Sequence, residues 1–313
     1  MQKVNLHSNP AVAVVGAGAV GCFFGGMLAR AGHKVTLIGR PLHVEAFRKS
    51  GLRFEGLKFD ERVAVEASTE PAAVRGARLV LFCVKSTDTE QAAEQIASHL
   101  DPDAVVVNLQ NGVDNTERIA ARVAQPVIPA VVYVATEMAG PGHLRHHGRG
   151  DLVIGAADGK ATPAVLSQVK QWFDAAGVPV VISPNVAGEL WMKLVVNCAY
   201  NALSAITQLP YGRMIEGEGV RDTMRAVVEE TMAVAKASGV TMVPDVLAKT
   251  YGVAGAMPTQ FSSTAQDLAR GKPTEIDHLN GFVVRRGQAL GIATPVNRAL
   301  HALVKLLESK IGV

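Results

Sequence analysis

Hydrophobic positions along the chain follow two different rhythms. In the first half, short apolar runs alternate with stretches at helical spacing. Residues 11–15, 35–38, 79–84 and 104–109 are such runs, the pattern of strands covered on both faces. Residues 19–30 fit a helix that Gly32 is placed to stop, and residues 88–99 fit another. Residues 52–65 alternate loosely and predict short strands. Residues 127–136 and 151–155 read as later strands, 163–176 as a helix and 178–182 as a last strand. This alternation predicts an α/β, doubly wound Rossmann sheet, mainly parallel, with helices on both faces.

From residue 185 onward the rhythm is helical throughout. Apolar residues recur at helical spacing over 189–209, 220–238, 246–252, 264–270, 276–290 and 297–310. Pro210, Gly239, Pro244, Pro258, Pro273 and Pro295 punctuate them. The expected division is an α/β domain over 1–183 and an all-helical domain over 184–313. A cleft between two such halves is a usual place for a substrate.

Composition narrows the function classes. Among 313 residues, 31 Lys and Arg face 28 Asp and Glu, a formal net charge of +3. That balance, with few aromatic platforms, argues against a nucleic-acid or membrane-surface protein. The three cysteines, Cys22, Cys83 and Cys198, form no CxxC pair. They predict a reducing, cytoplasmic compartment and offer no disulfide framework or zinc site. Residues 11–29 carry no charge and could be taken for a signal or a membrane span. Gly16, Gly18, Gly21, Gly25 and Gly26 interrupt that stretch, so a buried strand, a glycine turn and a buried helix account for it better.

The turn is Gly16-Ala17-Gly18-Ala19-Val20-Gly21, a GxGxxG between a predicted strand and a predicted helix. In that setting the first glycine makes the tight turn. The second lets backbone N–H groups reach a pyrophosphate, and the third lets the helix pack closely on the sheet. The helix N-terminus adds partial positive charge. An NAD site places Asp or Glu at the end of the next strand to hold the ribose 2′-hydroxyl. This chain has Gly39-Arg40 and no acid before Glu45. Arginine suits a 2′-phosphate, so NADP(H) is the expected cofactor. Lys85 and Asn111 follow the strands at 79–84 and 104–109. Ligands in such sheets bind beyond the carboxyl ends of the strands.

In the second half, no charged residue stands between Lys193 and Arg213. On that apolar helix Lys193, Asn197 and Asn201 recur at i, i+4 and i+8, on one face. Buried lysines and amides are costly without partners, so the stripe reads as facing a substrate. A second polar patch is Ser262-Ser263-Thr264. Glu275 and Asp277 open a predicted helix, where the dipole alone favours acids. His143, His146 and His147 form an HxxHH cluster without nearby cysteine or carboxylate, read as a surface loop rather than a metal site. No GxSxG elbow is present.

Taken in order, the glycine motif, Arg40, Val84-Lys85, Gln110-Asn111-Gly112, Lys193-x-x-x-Asn197-x-x-x-Asn201, Ser262-Ser263 and Thr274-Glu275-Ile276-Asp277 resemble the ketopantoate reductase (2-dehydropantoate 2-reductase) family. The likeness runs from about residue 11 to residue 300. It implies a Rossmann domain followed by an all-α, 6-phosphogluconate-dehydrogenase-like domain. It implies NADPH-dependent reduction of 2-dehydropantoate to (R)-pantoate, a step towards pantothenate and coenzyme A. By resemblance, Lys193 matches the catalytic lysine and Glu275 the catalytic-site glutamate. Asn197, Asn201 and Ser263 match residues that bind the keto acid. Lys85 and Asn111 match the nicotinamide end of the cofactor cleft, Asn111 also serving substrate, and Arg40 matches the 2′-phosphate contact. One position departs from the pattern: Tyr211 stands where well-known members carry an asparagine that helps bind substrate.

The chemistry agrees with the residues. Reducing a 2-keto acid needs a hydride donor, a proton donor for the developing alkoxide, and polar contacts for the carboxylate. The residues leave open a related keto-acid or opine-type reductase, and a non-catalytic NADP(H)-sensing protein. The apolar second half suggests a homodimer. Arg40→Ala is expected to weaken NADPH binding far more than NADH binding in a fluorescence titration. Equal losses for both would remove Arg40 from the phosphate site.

Overall fold

The structure is a computed structural model and describes residues 9–157 and 160–311. The outer ends of the two expected domains, residues 1–8 and 312–313, lie outside the described residues. The chain divides into two compact units, the first ending at Val186 and the second starting at Ala187.

The first unit contains strands β1 (Val12–Val15), β2 (Val35–Ile38), β3 (Leu52–Glu55), β4 (Asp60–Val63), β5 (Glu66–Ser68), β6 (Leu79–Phe82), β7 (Val105–Asn108), β8 (Val127–Gly140), β9 (His143–Ile154) and β10 (Val180–Ile182). Its helices are α1 (Ala19–Arg30), α2 (Pro41–Ser50), α3 (Thr89–Ala97), α4 (Asn115–Ala120) and α5 (Pro163–Ala175). The strands form a 10-stranded sheet in the order β4-β3-β9-β8-β7-β6-β1-β2-β5, and β10 pairs with β9. From β8 to β5 the pairings are all parallel.

The apolar alternation explains how the helices cover both faces. Val12 and Val14 of β1 point into a cluster with Phe24, Leu28 and Phe173 of α1 and α5. Ala13 and Val15 point the other way, towards Ala92, Ala93 and Ile96 of α3 and Ile119 of α4. Strands β1, β6 and β7 are therefore buried at every position.

The sheet is mainly parallel, as expected, with two antiparallel pairings. β8 and β9 form a long antiparallel hairpin turning at Gly142 (φ 68°), and β3 and β4 pair antiparallel. Residues 137–150 are polar and glycine-rich, so they lack the alternation that marks a strand. Pairing with one another and with β3 nonetheless extends β8 to Gly140 and starts β9 at His143. The histidine cluster thus lies within β9 rather than in a surface loop, with His143 Nε2 2.9 Å from the Glu55 carboxylate. Helix α2 also escaped the hydrophobic pattern, because Val44 and Phe47 are its buried residues.

The second unit is helical: α6 (Val186–Thr207), α7 (Tyr211–Met214), α8 (Val220–Ala237), α9 (Val246–Ala256), α10 (Ser263–Ala269), α11 (Asn280–Leu290) and α12 (Pro295–Glu308). The start of α6 falls at the unit division. α8 buries Met224, Val227, Val228, Thr231 and Val234. Glu230 on the same helix accepts hydrogen bonds from the backbone N–H groups of Val296 and Asn297, at 2.8 and 2.9 Å. It thereby satisfies orphan donors in the first turn of α12. The single helix expected over 276–290 is interrupted. Ile276–His278 is a 3₁₀ turn, and Leu279 (φ −111°, ψ −105°) leaves helical geometry before α11 begins. No helix among the described residues is long and apolar enough to cross a membrane.

Close packing of α1 on β1 rests on Gly21. A methyl group there would collide with the Gly16 carbonyl oxygen and meet Val14 Cγ1 at 2.7 Å. Gly21→Ala is expected to cost about 1–3 kcal/mol, the usual range for overpacking. Denaturant unfolding measures it, and an unchanged midpoint would mean that α1 sits further from the sheet than described.

Candidate functional site

The strands β1, β2, β6 and β7 end level. Val15 pairs with Ile38 and Phe82, and Phe82 with Asn108. The loops that follow therefore leave from one edge, the carboxyl edge, where ligands of such sheets bind. They carry Gly16 to Gly21, Gly39-Arg40, Lys85 and Asn111.

Gly16 takes φ 104°, a conformation that L side chains rarely adopt, and its α-carbon lies against the backbone of Cys83 and Val84. A Cβ there would stand 2.6 Å from the Cys83 carbonyl carbon. The amides of Gly16 and Ala17 both donate to the Ile38 carbonyl, at 2.9 Å each. This pins the turn to the neighbouring strand end. Gly18 differs: it is exposed, and a Cβ there would meet nothing within 4 Å. It precedes the first turn of α1, which has no side-chain cap and no acid. Ala19 and Val20 are half-buried in that turn. Open space before uncapped N–H groups fits an anion such as a pyrophosphate. Beyond β2, Arg40 is exposed at the start of α2, where Pro41 occupies the first helical position. Gly39 lies against Ala17, where a Cβ would come within 2.8 Å of the Ala17 Cβ.

Lys85 and Asn111 are half-buried. Their loops are cross-tied. Gln110 Nε2 donates to the Val84 carbonyl (3.0 Å) and to Thr89 Oγ1 (2.8 Å). Ser86 Oγ donates to the Asn111 carbonyl (3.3 Å). Asn115 Nδ2 donates to the same carbonyl (2.7 Å) and to Ser86 Oγ (3.0 Å). Arg118 grips Glu90 through two nitrogens, at 2.7 and 2.6 Å, and also reaches Asn115 Oδ1 and the Ser86 carbonyl. The sequence reading missed Ser86, Thr89, Glu90, Asn115 and Arg118. Their sole signal was polar residues at spacings that look like ordinary helix starts.

In the second unit, α6 carries the polar stripe. Asn201 is buried (2 % exposed), while Lys193 and Asn197 are half-buried. Asn201 Nδ2 donates to Ser263 Oγ at 3.5 Å, so the stripe meets the start of α10. Ser262 Oγ donates to the Asn201 carbonyl (3.2 Å) and accepts from the Ala265 N–H (3.0 Å), capping α10. Ser204 Oγ accepts from the Ser262 N–H at 3.3 Å. Ser204 and Ser262 thus hold the segment that presents Ser263. Asn280 Nδ2 donates to the Cys198 carbonyl at 3.1 Å, tying α11 to the same helix beside Asn197.

Glu275 precedes the 3₁₀ turn rather than opening a helix, and is half-buried. The turn is strapped to α12 on both sides. Thr274 N–H donates to Glu308 (2.7 Å), and Asp277 meets His301 (2.6 Å) and Lys305 (2.9 Å). Tyr211 is buried beside Tyr200, ring centroids 4.6 Å apart, and burial pushes its hydroxyl pKa up. Burial likewise raises the thiol pKa values of Cys22, Cys83 and Cys198, so these are inert side chains. Among the described residues no group of three or more His, Cys, Asp or Glu could hold a metal ion.

Comparison with known proteins identifies the family. The family model "Ketopantoate reductase PanE/ApbA" matches residues 12–159, and its C-terminal counterpart matches residues 185–308. The 2-dehydropantoate 2-reductase of Halobacterium salinarum is 35% identical over 95% of this chain and 98% of its own length. A PanE/ApbA family ketopantoate reductase from Ralstonia eutropha JMP134 is 59% identical, with a TM-score of 0.92 over 97% of this chain and 100% of that one. A D-mandelate dehydrogenase solved with NADH and anilino(oxo)acetate is 25% identical, with a TM-score of 0.90 over 97% of this chain and 100% of that one. This chain belongs to the PanE/ApbA family of ketopantoate reductases.

Proposed function

We propose that the protein reduces 2-dehydropantoate to (R)-pantoate with NADPH, using Lys193 as the proton donor. The observation that carries the site assignment is the stripe on α6. One ammonium, two amides and the Ser263 hydroxyl share a helix face and its neighbour, and the helix has no further charge from residue 194 to its end.

The cofactor supplies the hydride. The glycine turn and α1 N-terminus receive its pyrophosphate, and Arg40 its 2′-phosphate. Lys85 and Asn111 attend its nicotinamide end. Lys193 hydrogen-bonds the keto oxygen and passes it a proton as negative charge develops there. Glu275 orients the lysine or accepts from the substrate hydroxyl. Asn197, Asn201 and Ser263 donate to carboxylate and hydroxyl without adding further charge.

The same reading places the enzyme in the cytoplasm as a homodimer. All three cysteines are free thiols, and Leu303 and Leu306 stand exposed on α12. A second substrate reading has one specific support. Tyr211 and Tyr200 put an aromatic pair in the helical unit, and the D-mandelate dehydrogenase likeness points to 2-oxo acids with bulkier apolar groups. Comparing kcat/KM for 2-dehydropantoate with an aromatic 2-oxo acid decides between the two.

Lys193→Ala is expected to lower kcat with 2-dehydropantoate by about 10²-fold or more, as for a positioned acid. The NADPH Kd is expected to change little. Near-wild-type turnover would remove Lys193 from the mechanism.

A further inference from the structure

The cross-tied loops after β6 and β7 contain far more polar interaction than two turns require. Ser86, Thr89 and Asn115 are 0%, 0% and 1% exposed, and none of them is needed to close a strand or a helix. Buried polar groups of this kind stay only where partners satisfy them. Here the partners are one another, and the connections run in a definite direction. Arg118 lies at the far end, paired with Glu90 across α4 and α3. From Arg118 the contacts pass to Asn115 Oδ1 (2.6 Å) and to the Ser86 carbonyl (2.8 Å). From Asn115 they pass to the Asn111 carbonyl (2.7 Å). Ser86 is the residue after Lys85, and Val84, whose carbonyl Gln110 holds, is the residue before it. The backbone on both sides of Lys85 and the carbonyl of Asn111 are therefore fixed by one network, anchored by one ion pair.

We propose that Arg118, with Glu90 and Asn115, is a positioning element for the reaction, which holds Lys85 and Asn111 in the geometry that binds the nicotinamide end of the cofactor. The proposal rests on the roles assigned above to Lys85 and Asn111. The bidentate arginine–carboxylate geometry suits the task, because two parallel bonds fix orientation as well as distance. Asn115 then copies that orientation to Asn111 through the two ends of its side-chain amide. Arg118 does not itself touch cofactor or substrate in this scheme.

The pair is also built to persist. The Arg118 guanidinium beside Glu90 holds its carboxyl well below the usual range, at about 2. Asp114 and Arg122 are the other charges that act on the two partners. The folded-state value lies below the ordinary 4.5, so the stabilisation is fully present above about pH 4.5 and is lost as pH falls towards 2. Through the neutral range the brace does not titrate.

The test compares Arg118→Ala, Arg118→Lys, Glu90→Gln, Asn111→Ala, Lys85→Ala and the Arg118→Ala/Asn111→Ala pair in the full chain. NADPH Kd is read by fluorescence titration, kcat and KM by NADPH oxidation with 2-dehydropantoate, and melting temperature alongside. Arg118→Ala is expected to raise the NADPH Kd or lower kcat by about 10- to 100-fold, as for a small displacement of catalytic groups. Arg118→Lys restores part of the loss. In the Asn111→Ala background Arg118→Ala costs less than in the wild-type chain, because the part exerted through the Asn111 side chain is already gone while the part exerted through Lys85 remains. The stability gap between wild type and Glu90→Gln stays constant from pH 5 to 8 and closes below about pH 4.5. If Asn111→Ala and Lys85→Ala are impaired while Arg118→Ala lowers only the melting temperature, the brace is structural and the proposal falls. Full additivity of the double variant overturns it too. Wild-type behaviour of both Lys85→Ala and Asn111→Ala would instead overturn the underlying roles, and the proposal with them.

Discussion

The first unit depends on β1, β2, β6 and β7 ending at the same level. Their register is set by strands whose every position in β1, β6 and β7 is buried, with alternate side chains committed to opposite cores. A slip of one residue would exchange the two faces of a strand, so Val14 would leave the Phe24 side and Ala13 would enter it. Register is consequently rigid, and so is the place where each loop begins. The glycine turn exploits this. Gly16 touches the backbone at the end of β6 and donates to the end of β2, which only a side chain of hydrogen permits. Packing deep in the sheet thus becomes positional accuracy at its edge.

In the proposed function the two units meet the problem of anion recognition with different means. The first offers backbone amides, a helix terminus and cations spread along strand ends, an arrangement suited to an extended polyanion. The second offers one lysine among neutral donors on α6. Amides and hydroxyls give direction to a small carboxylate without raising the cost of desolvating several charges. The serine pair Ser204 and Ser262 shows how such donors are held. Each hydroxyl gives one bond and takes another, so the turn that carries Ser263 is fixed without any ion pair.

Elements with a single dominant period could be read from the sequence. β1, α1, β2, β6 and β7 are continuous apolar runs or a glycine-punctuated apolar helix, and their residues need only local pattern to be recognised. The polar stripe on α6 was visible because amides are conspicuous among alanines and valines. The hairpin of β8 and β9 was not legible between residues 137 and 150, since His143 to Arg149 owes its strand form to pairing with β3 and β8 rather than to an apolar alternation. The break at Leu279 follows from strapping Asp277 to His301 and Lys305, a long-range contact that no helical period reveals. The brace around Asn115 and Arg118 was hidden for a similar reason. Polar residues at a helix start are common, and only the fold brings Ser86 to within 3.0 Å of Asn115.

The strand order ends in β4 on one side and β5 on the other. β4 presents Asp60, Glu61 and Arg62 exposed in succession, and β5 is three residues long and begins with an exposed Glu66. A further strand trying to add to either end would meet charge or run out of backbone to pair with. A sheet this wide, with a core rich in valine and leucine, would otherwise be a template for edge-to-edge aggregation. At those two ends, charge and shortness oppose polymerisation through the same hydrogen bonds that hold the sheet together.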